Sequence, residues 1–136
     1  MHDTDSLHID YAAYRLDRAK DDLDTAHLLF DAGKYRIANN RAYYAIFHSL
    51  RAVLVFDDFD SSKHSGVIAE FRRRYIKSGI FPIEISKMIG SAFTIRNASD
   101  YDDMFLASKT DTAEQIEHAD YIYKLLKEYI EKKIMV

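Results

Sequence analysis

The sequence predicts an all-α domain, an antiparallel up-and-down bundle of four to five helices, and three observations point to it. Apolar residues recur at near-helical spacing through five successive segments. Breakers are scarce, with four Gly and one Pro in 136 residues, so long helices and few tight turns are expected. No stretch alternates apolar and polar residues over strand length between turn signals. Helices without strands bury their apolar stripes against one another.

Residues 8–31 read as the first helix. Tyr11, Tyr14, Ala19, Leu23, Ala26 and Phe30 form its inner stripe, and Asp17, Lys20, Asp21, Asp22 and Asp24 cover much of the remaining surface. Gly33 is the stop, since glycine adopts the left-handed conformation at a helix end without a Cβ clash. Residues 35–56 read as the second helix. It is apolar on nearly every side, from Ile37 and Ala38 through Tyr43, Ile46, Phe47 and Leu50 to Val55, which marks it as the centre of the bundle. The run 57–62 reads as a loop.

A third helix is expected over 63–77 with Ile68, Phe71 and Tyr75 inward, ended by Ser78-Gly79. Pro82 suits the first turn of a fourth helix, where its missing N–H costs nothing. That helix runs to about 97 with Ile85, Met88, Ile89, Ala92, Phe93 and Ile95, and 98–110 reads as a polar loop or a weak helical extension. Asp111-Thr112-Ala113-Glu114 has the pattern of a capping box. It opens a fifth helix to about 132, with Ile116, Ala119, Tyr123, Leu126 and Ile130 inward.

The length fits one domain spanning 1–136, and a chain of this size buries roughly 68% of its unfolded surface. With 48% hydrophobic and 30% charged residues the composition is globular, not disordered. There is no Cys, so disulfides and thiolate metal sites are excluded and a reducing compartment is suitable. The polar N-terminus is no signal peptide, and no apolar run nears the ~20 residues of a membrane span. A cytoplasmic protein without membrane attachment is expected. The net charge of −3 argues against a wholly basic nucleic-acid face and leaves room for a local patch. The run Arg72-Arg73-Arg74 is the only basic cluster in sequence and reads first as a solvated helix face.

Three constellations carry chemistry. Arg41, Tyr44, His48 and Arg51 stand at i, i+3, i+7 and i+10, one face of the second helix. They either bond between helices, with Arg41 paired to an acid on a neighbour, or line a cleft. His64 either caps the third helix or faces the same cleft as His48. Arg96-Asn97-Ala98-Ser99-Asp100-Tyr101-Asp102-Asp103 is either a helix end neutralised by ion pairs or a site edge where a guanidinium holds a phosphate. Metal ligation is not expected: Glu114/His118 and Asp24/His27 are single pairs without the matching second pair a di-metal bundle needs.

The runs 38–48, with Arg41-Ala42-Tyr43-Tyr44-Ala45-Ile46-Phe47-His48, then 63–68 and 96–101 resemble the small prokaryotic HEPN domains (higher eukaryotes and prokaryotes nucleotide-binding), and the likeness covers about 9–132. It implies a bundle of four or five helices that forms a homodimer and needs no cofactor. Many members are encoded beside a minimal nucleotidyltransferase as toxin and antitoxin. The resemblance therefore implies such a partner, and RNA or a nucleotide as the ligand of the dimer cleft. Catalytic members resemble metal-independent endoribonucleases whose motif is an Arg, a polar residue and then a His. Here Arg96 and Asn97 match the first two as catalytic candidates, with Arg41, Tyr44, His48, His64, Asp100 and Tyr101 as cleft or supporting residues. The motif His has no counterpart, because Tyr101, Asp102 and Asp103 hold its positions. Tyr titrates near 10 and Asp near 4, so neither replaces an imidazole at neutral pH. The departure leaves open a binding protein, a ribonuclease whose proton transfer falls to His48, His64 or Tyr101, and a helical adaptor without ligand. Similar toxins are silenced by nucleotidyl transfer to a Tyr near the motif, which makes Tyr101 the matching target.

Overall fold

A computed structural model describes the backbone of residues 3–135 and the side chains of 6–135. Five helices follow one another: α1 (Asp3–Asp31), α2 (Tyr35–Leu54), α3 (His64–Phe71), α4 (Ile83–Tyr101) and α5 (Lys109–Met135). A 3₁₀ turn (Val55–Asp57) closes α2 and a π-helical turn (Arg72–Ile76) extends α3. Cross-helix pairs set the directions. Asp22 meets Arg41 and Phe30 meets Tyr35, so α1 and α2 are antiparallel. Tyr44 meets Arg96 and Arg36 meets Ser99, so α2 and α4 are antiparallel. Asn39 meets Thr112 near one end and Phe56 meets Lys133 near the other, so α2 and α5 run the same way as diagonal partners. The fold is the expected up-and-down bundle of four long helices, with α3 as a short fifth.

α2 is the central helix. Tyr43, Ile46, Leu50, Val53 and Leu54 are at most 2% exposed, each burial of this kind being worth roughly 1.5–3 kcal/mol. Phe71, Tyr75 and Phe81 stack together under the α3 end. The expected inner positions Ile116, Ala119, Tyr123, Leu126 and Ile130 of α5 are all buried.

Several details depart from the expectation. α1 begins at Asp3, not 8, because no Gly or Pro precedes Gly33 to stop it. Its inner stripe is Ala12, Ala19, Leu23 and Ala26, whereas Tyr11 and Tyr14 are half exposed and Asp22 is buried. The stripe is centred one position off the tyrosines. Gly33 does take the left-handed conformation, with φ +76°. Pro82 precedes α4 in extended conformation and is not inside its first turn. Of the two readings of 98–110, the helical extension holds for the first four residues, to Tyr101. Arg36 at the start of α2 donates to the carbonyls of Ser99, Asp102 (3.3 Å) and Phe105 (2.8 Å), giving partners to acceptors that a helix end leaves open. α5 starts at Lys109, and its cap is Ser108, whose Oγ accepts from the Asp111 N–H at 3.0 Å; the box at 111–114 lies inside the helix.

Candidate functional site

The site forms where α2, the start of α3 and the end of α4 meet. Tyr43 and Tyr44 are adjacent on α2, and both rings lie 5.6 Å from His64, Tyr43 stacked on it and Tyr44 edge-on. Tyr43 is buried, and its hydroxyl lies 2.9 Å from His64 Nδ1, the two rings stacking at 5.6 Å. Burial pushes the Tyr43 phenol far above its usual range, so it stays a hydroxyl. Tyr44 is half-buried, and its hydroxyl accepts from Arg96 Nη2 at 3.1 Å. Phe47 also packs against His64, at 4.2 Å, and lies 6.1 Å from Tyr43.

Arg96 is the centre of this group. Its guanidinium carbon lies 5.4 Å from the Tyr43 ring, 5.7 Å from Tyr44 and 5.8 Å from Tyr101, within cation–π range. Nε is 3.0 Å from Asp100 Oδ2, an ion pair one helical turn along α4, and Nη1 donates to Asn97 Oδ1 at 3.3 Å. Burial opposes the charge, but Tyr44 and Asp100 outweigh it and hold the guanidinium above its usual value. Tyr101 is 76% exposed and forms the solvent edge of this group, while the Arg96 side chain itself is 14% exposed.

A polar chain leads away from Arg96 along α2. The Asp100 carboxylate accepts from Asn40 Nδ2 at 3.2 Å, Asn40 Oδ1 accepts from Arg41 Nε at 3.0 Å, and Arg41 Nη1 pairs with Asp22 Oδ1 at 3.0 Å. Arg41 also lies 5.1 Å over the Tyr44 ring. Of its two expected roles, Arg41 thus takes the pairing with an acid on a neighbouring helix. The Asp22 carboxyl is pushed up by burial, against the pull of Arg41.

The two histidines differ. His48 is 7% exposed and turned toward α1, with Nε2 3.7 Å from Asp22 Oδ2. Burial, and then the charges of Arg18, Arg51, Arg15 and Arg41, pull its pKa down to about 4. It is neutral at pH 7 and poorly matched to proton transfer there. His64 is part-exposed, pulled down by burial and by Arg96, and one aromatic ring away from that guanidinium. The sequence-predicted residues Tyr44, His64, Arg96, Asn97, Asp100 and Tyr101 are brought together; His48 stands apart behind Tyr44. Asp102 accepts from the Met104 N–H at 2.9 Å and serves the turn after α4. Among the described residues no group of three or more His, Asp or Glu is placed to hold a metal ion, and no helix is long and apolar enough to cross a membrane.

Sequence reasoning missed Arg36, Asp22, Arg15 and Arg18. Arg36 was open to inference, since a cation at the start of α2 faces the end of an antiparallel neighbour whose carbonyls need donors. The other three sit on the polar side of α1, and only the packing of α1 on α2 shows what they meet. The triplet Arg72-Arg73-Arg74 is not a free basic face. Arg72 donates to Ser86 Oγ at 2.9 Å and Ser86 O at 3.1 Å, Arg74 pairs with Glu70 at 2.8 Å, and Arg73 pairs with Glu70.

Comparison with known proteins bears on the family and the fold. The HEPN domain family model matches residues 12–129. A UPF0332 protein of Thermotoga maritima is 32% identical over 114 residues, covering 84% of this chain and 86% of that protein. A Methanocaldococcus jannaschii protein named "Putative toxin" is 30% identical over 122 residues, covering 88% and 82%. The crystal structure of an archaeal HEPN homologue superposes with a TM-score of 0.70 at 18% identity, over 88% of this chain and 97% of that one, and so shares the fold. The chain belongs to the HEPN domain family.

Proposed function

We propose that this protein is the HEPN component of a toxin–antitoxin pair, binding RNA or a nucleotide through Arg96 at a homodimer cleft and engaging a minimal nucleotidyltransferase as partner. The observation that carries the reading is the placement of Arg96. A cation is held by Asp100, Tyr44 and Asn97 among three aromatic faces, and the exposed Tyr101 stands at its solvent edge. A guanidinium so fixed is preorganised for a phosphate oxygen, and the tyrosine faces suit a base. Toxin naming among the relatives supports the biological role. Binding without efficient cleavage fits a chain in which the motif His is missing. Tyr101, at 76% exposure beside Arg96, is open to nucleotidyl transfer by such a partner.

A second reading, a metal-independent endoribonuclease, is favoured by His64. Its Nδ1 is held by the Tyr43 hydroxyl, which fixes the ring and leaves Nε2 for proton transfer close to Arg96. Incubation of purified protein with single-stranded RNA in chelator separates the readings. The binding reading expects retention of intact RNA, weakened roughly tenfold or more by Arg96→Ala, the loss typical of a charged hydrogen bond. Rapid chelator-insensitive cleavage abolished by His64→Ala would replace it with the second. Binding indifferent to Arg96→Ala would remove both.

A further inference from the structure

Arginines far apart in sequence converge on the face where α1 lies against α2. Arg15 and Arg51 share the Asp60 carboxylate, Arg51 through two bonds of 2.9 and 2.8 Å and Arg15 at 3.4 Å. Arg18 donates to the Tyr14 hydroxyl at 3.2 Å and pairs with no carboxylate among the described residues. Arg41 pairs with Asp22. Around His48, Asp60 and Asp22 are thus the carboxylates bonded by three of the four guanidinium groups, and Arg18 has none; Asp58, on the groove wall, is bonded to His8 instead. By helical period, Asp17 and Asp24 stand about a third of a turn from Arg18, whereas the exposed Asp21 stands on its face, one turn on.

Exposed aromatics are interleaved with these cations. Tyr11 is 59% and Tyr14 50% exposed, and Arg15 lies 5.4 Å over the Tyr14 ring. A groove of about 510 Å³ opens beside Arg15 and Arg51, walled by Tyr11, Val55 and Phe59. Asp60 sits on the exposed loop after α2, its side chain 55% exposed, and places an oxyanion between Arg15 and Arg51. From Arg41 to Arg51 the strip is about 15 Å long at 1.5 Å per residue, room for a few nucleotides.

We propose that this α1–α2 face is a track for single-stranded nucleic acid, in which Arg15, Arg18, Arg41 and Arg51 meet phosphates and Tyr11 and Tyr14 stack bases. Phosphates compete with Asp60 for the Arg15–Arg51 pair. Bare charge complementarity would serve any polyanion, but exposed rings set between guanidinium groups match the alternation of base and phosphate in one strand. The Asp22–Arg41–Asn40–Asp100 chain joins the track to Arg96, so its role as a path to that site rests on the reading of Arg96 above, while its binding of a strand does not.

The test is fluorescence anisotropy with a short labelled oligouridine and its deoxy counterpart over a series of salt concentrations. The double variant Arg15→Glu/Arg18→Glu is expected to weaken binding roughly tenfold or more and to flatten the salt slope by about 0.7 for each phosphate it no longer neutralises. Tyr14→Ala is expected to cost about fivefold or more with the slope unchanged. Arg73→Glu, on a distant exposed arginine, is expected to bind as wild type. Stronger binding of the RNA would assign the track to RNA, and equal binding to single strands generally. Should the double variant misfold by circular dichroism, Arg18→Gln alone supplies the charge loss at an exposed position. Unchanged binding in the Arg18 variants, an equal loss with Arg73→Glu, or competition by polyglutamate as effective as by unlabelled oligonucleotide would overturn the proposal. Arg96→Ala separates the two sites: loss with Arg18 variants but not Arg96→Ala keeps the track without the Arg96 site, and the converse keeps the site without the track.

Discussion

Two groups of arginines in this protein are bonded in opposite ways. At the end of α3, Arg72, Arg73 and Arg74 stand side by side in sequence, yet their donors go to Ser86 and Glu70, and Arg74 also reaches Asp57 at 3.5 Å. Around His48, arginines from two helices come together, Arg18 is bonded to no carboxylate among the described residues, and exposed tyrosines lie beside them. The first group fastens a π-helical turn to α4 and the second presents charge. Contiguity in sequence is therefore a poor guide to a basic surface on helices, because adjacent residues point about 100° apart. Spacing of three, four and seven, repeated on two antiparallel helices, makes a shared face.

Substitutions can break this contrast at several points. The largest effect expected is on acid stability. His48 has a folded pKa of about 4 against 6.5 unfolded, so the unfolded chain takes up more protons between those values and stability falls as pH drops through that window. The full shift corresponds to about 3 kcal/mol lost on going from pH 7 to pH 4. Asp22, whose carboxyl burial pushes up, acts in the opposite direction at the acid end. Urea unfolding at both pH values is expected to show a flatter dependence for His48→Gln, and an unchanged slope would mean that burial and the arginines do not depress His48 as described.

Next in size is Arg72→Ala, which leaves Ser86 O without its side-chain donor and opens space beside Gly90. A loss of about 2 kcal/mol is expected in urea unfolding, with nucleic-acid binding unchanged. Asp22→Asn is expected to cost about 1 kcal/mol, since Arg41 keeps Asn40 and the Tyr44 ring but loses its charged partner. The same variant adds net positive charge to the α1–α2 face, and stronger oligonucleotide binding is the accompanying readout. The smallest effect belongs to Arg73→Ala, an exposed pair expected to stay within about 0.5 kcal/mol. A larger loss there would make the α3 end a more demanding structure than its exposed pairing implies.

The bundle was legible because α2 is apolar on nearly every side and Gly33 ends α1 where a left-handed residue is needed. The α2 face of Arg41, Tyr44 and His48 was legible from spacing alone. What each residue meets was not, because partners such as Asp22 and Asp100 are set by how helices cross, which one helix's period does not carry. Tyr11 and Tyr14 read as core by residue type, and the fold instead buries Ala12 and Ala19 next to them, since small residues let α1 lie close on α2. α4 read as ending near 97 because its last turn is polar; that turn is held by Arg36, sixty-three residues away from Ser99 in sequence. The approach of His64 to Arg96 likewise depends on where the 57–62 loop returns the chain.

Arginine side-chain NMR tests the central claim most directly, by following the Nε–Hε signals of the protein during titration with a short single-stranded RNA. The Arg96 and Arg18 signals are expected to move together and to saturate with the strand, while those of Arg72 and Arg73 stay in place. Movement at Arg72 and Arg73 with Arg96 and Arg18 unmoved would contradict the assignment of both the site and the face that leads to it.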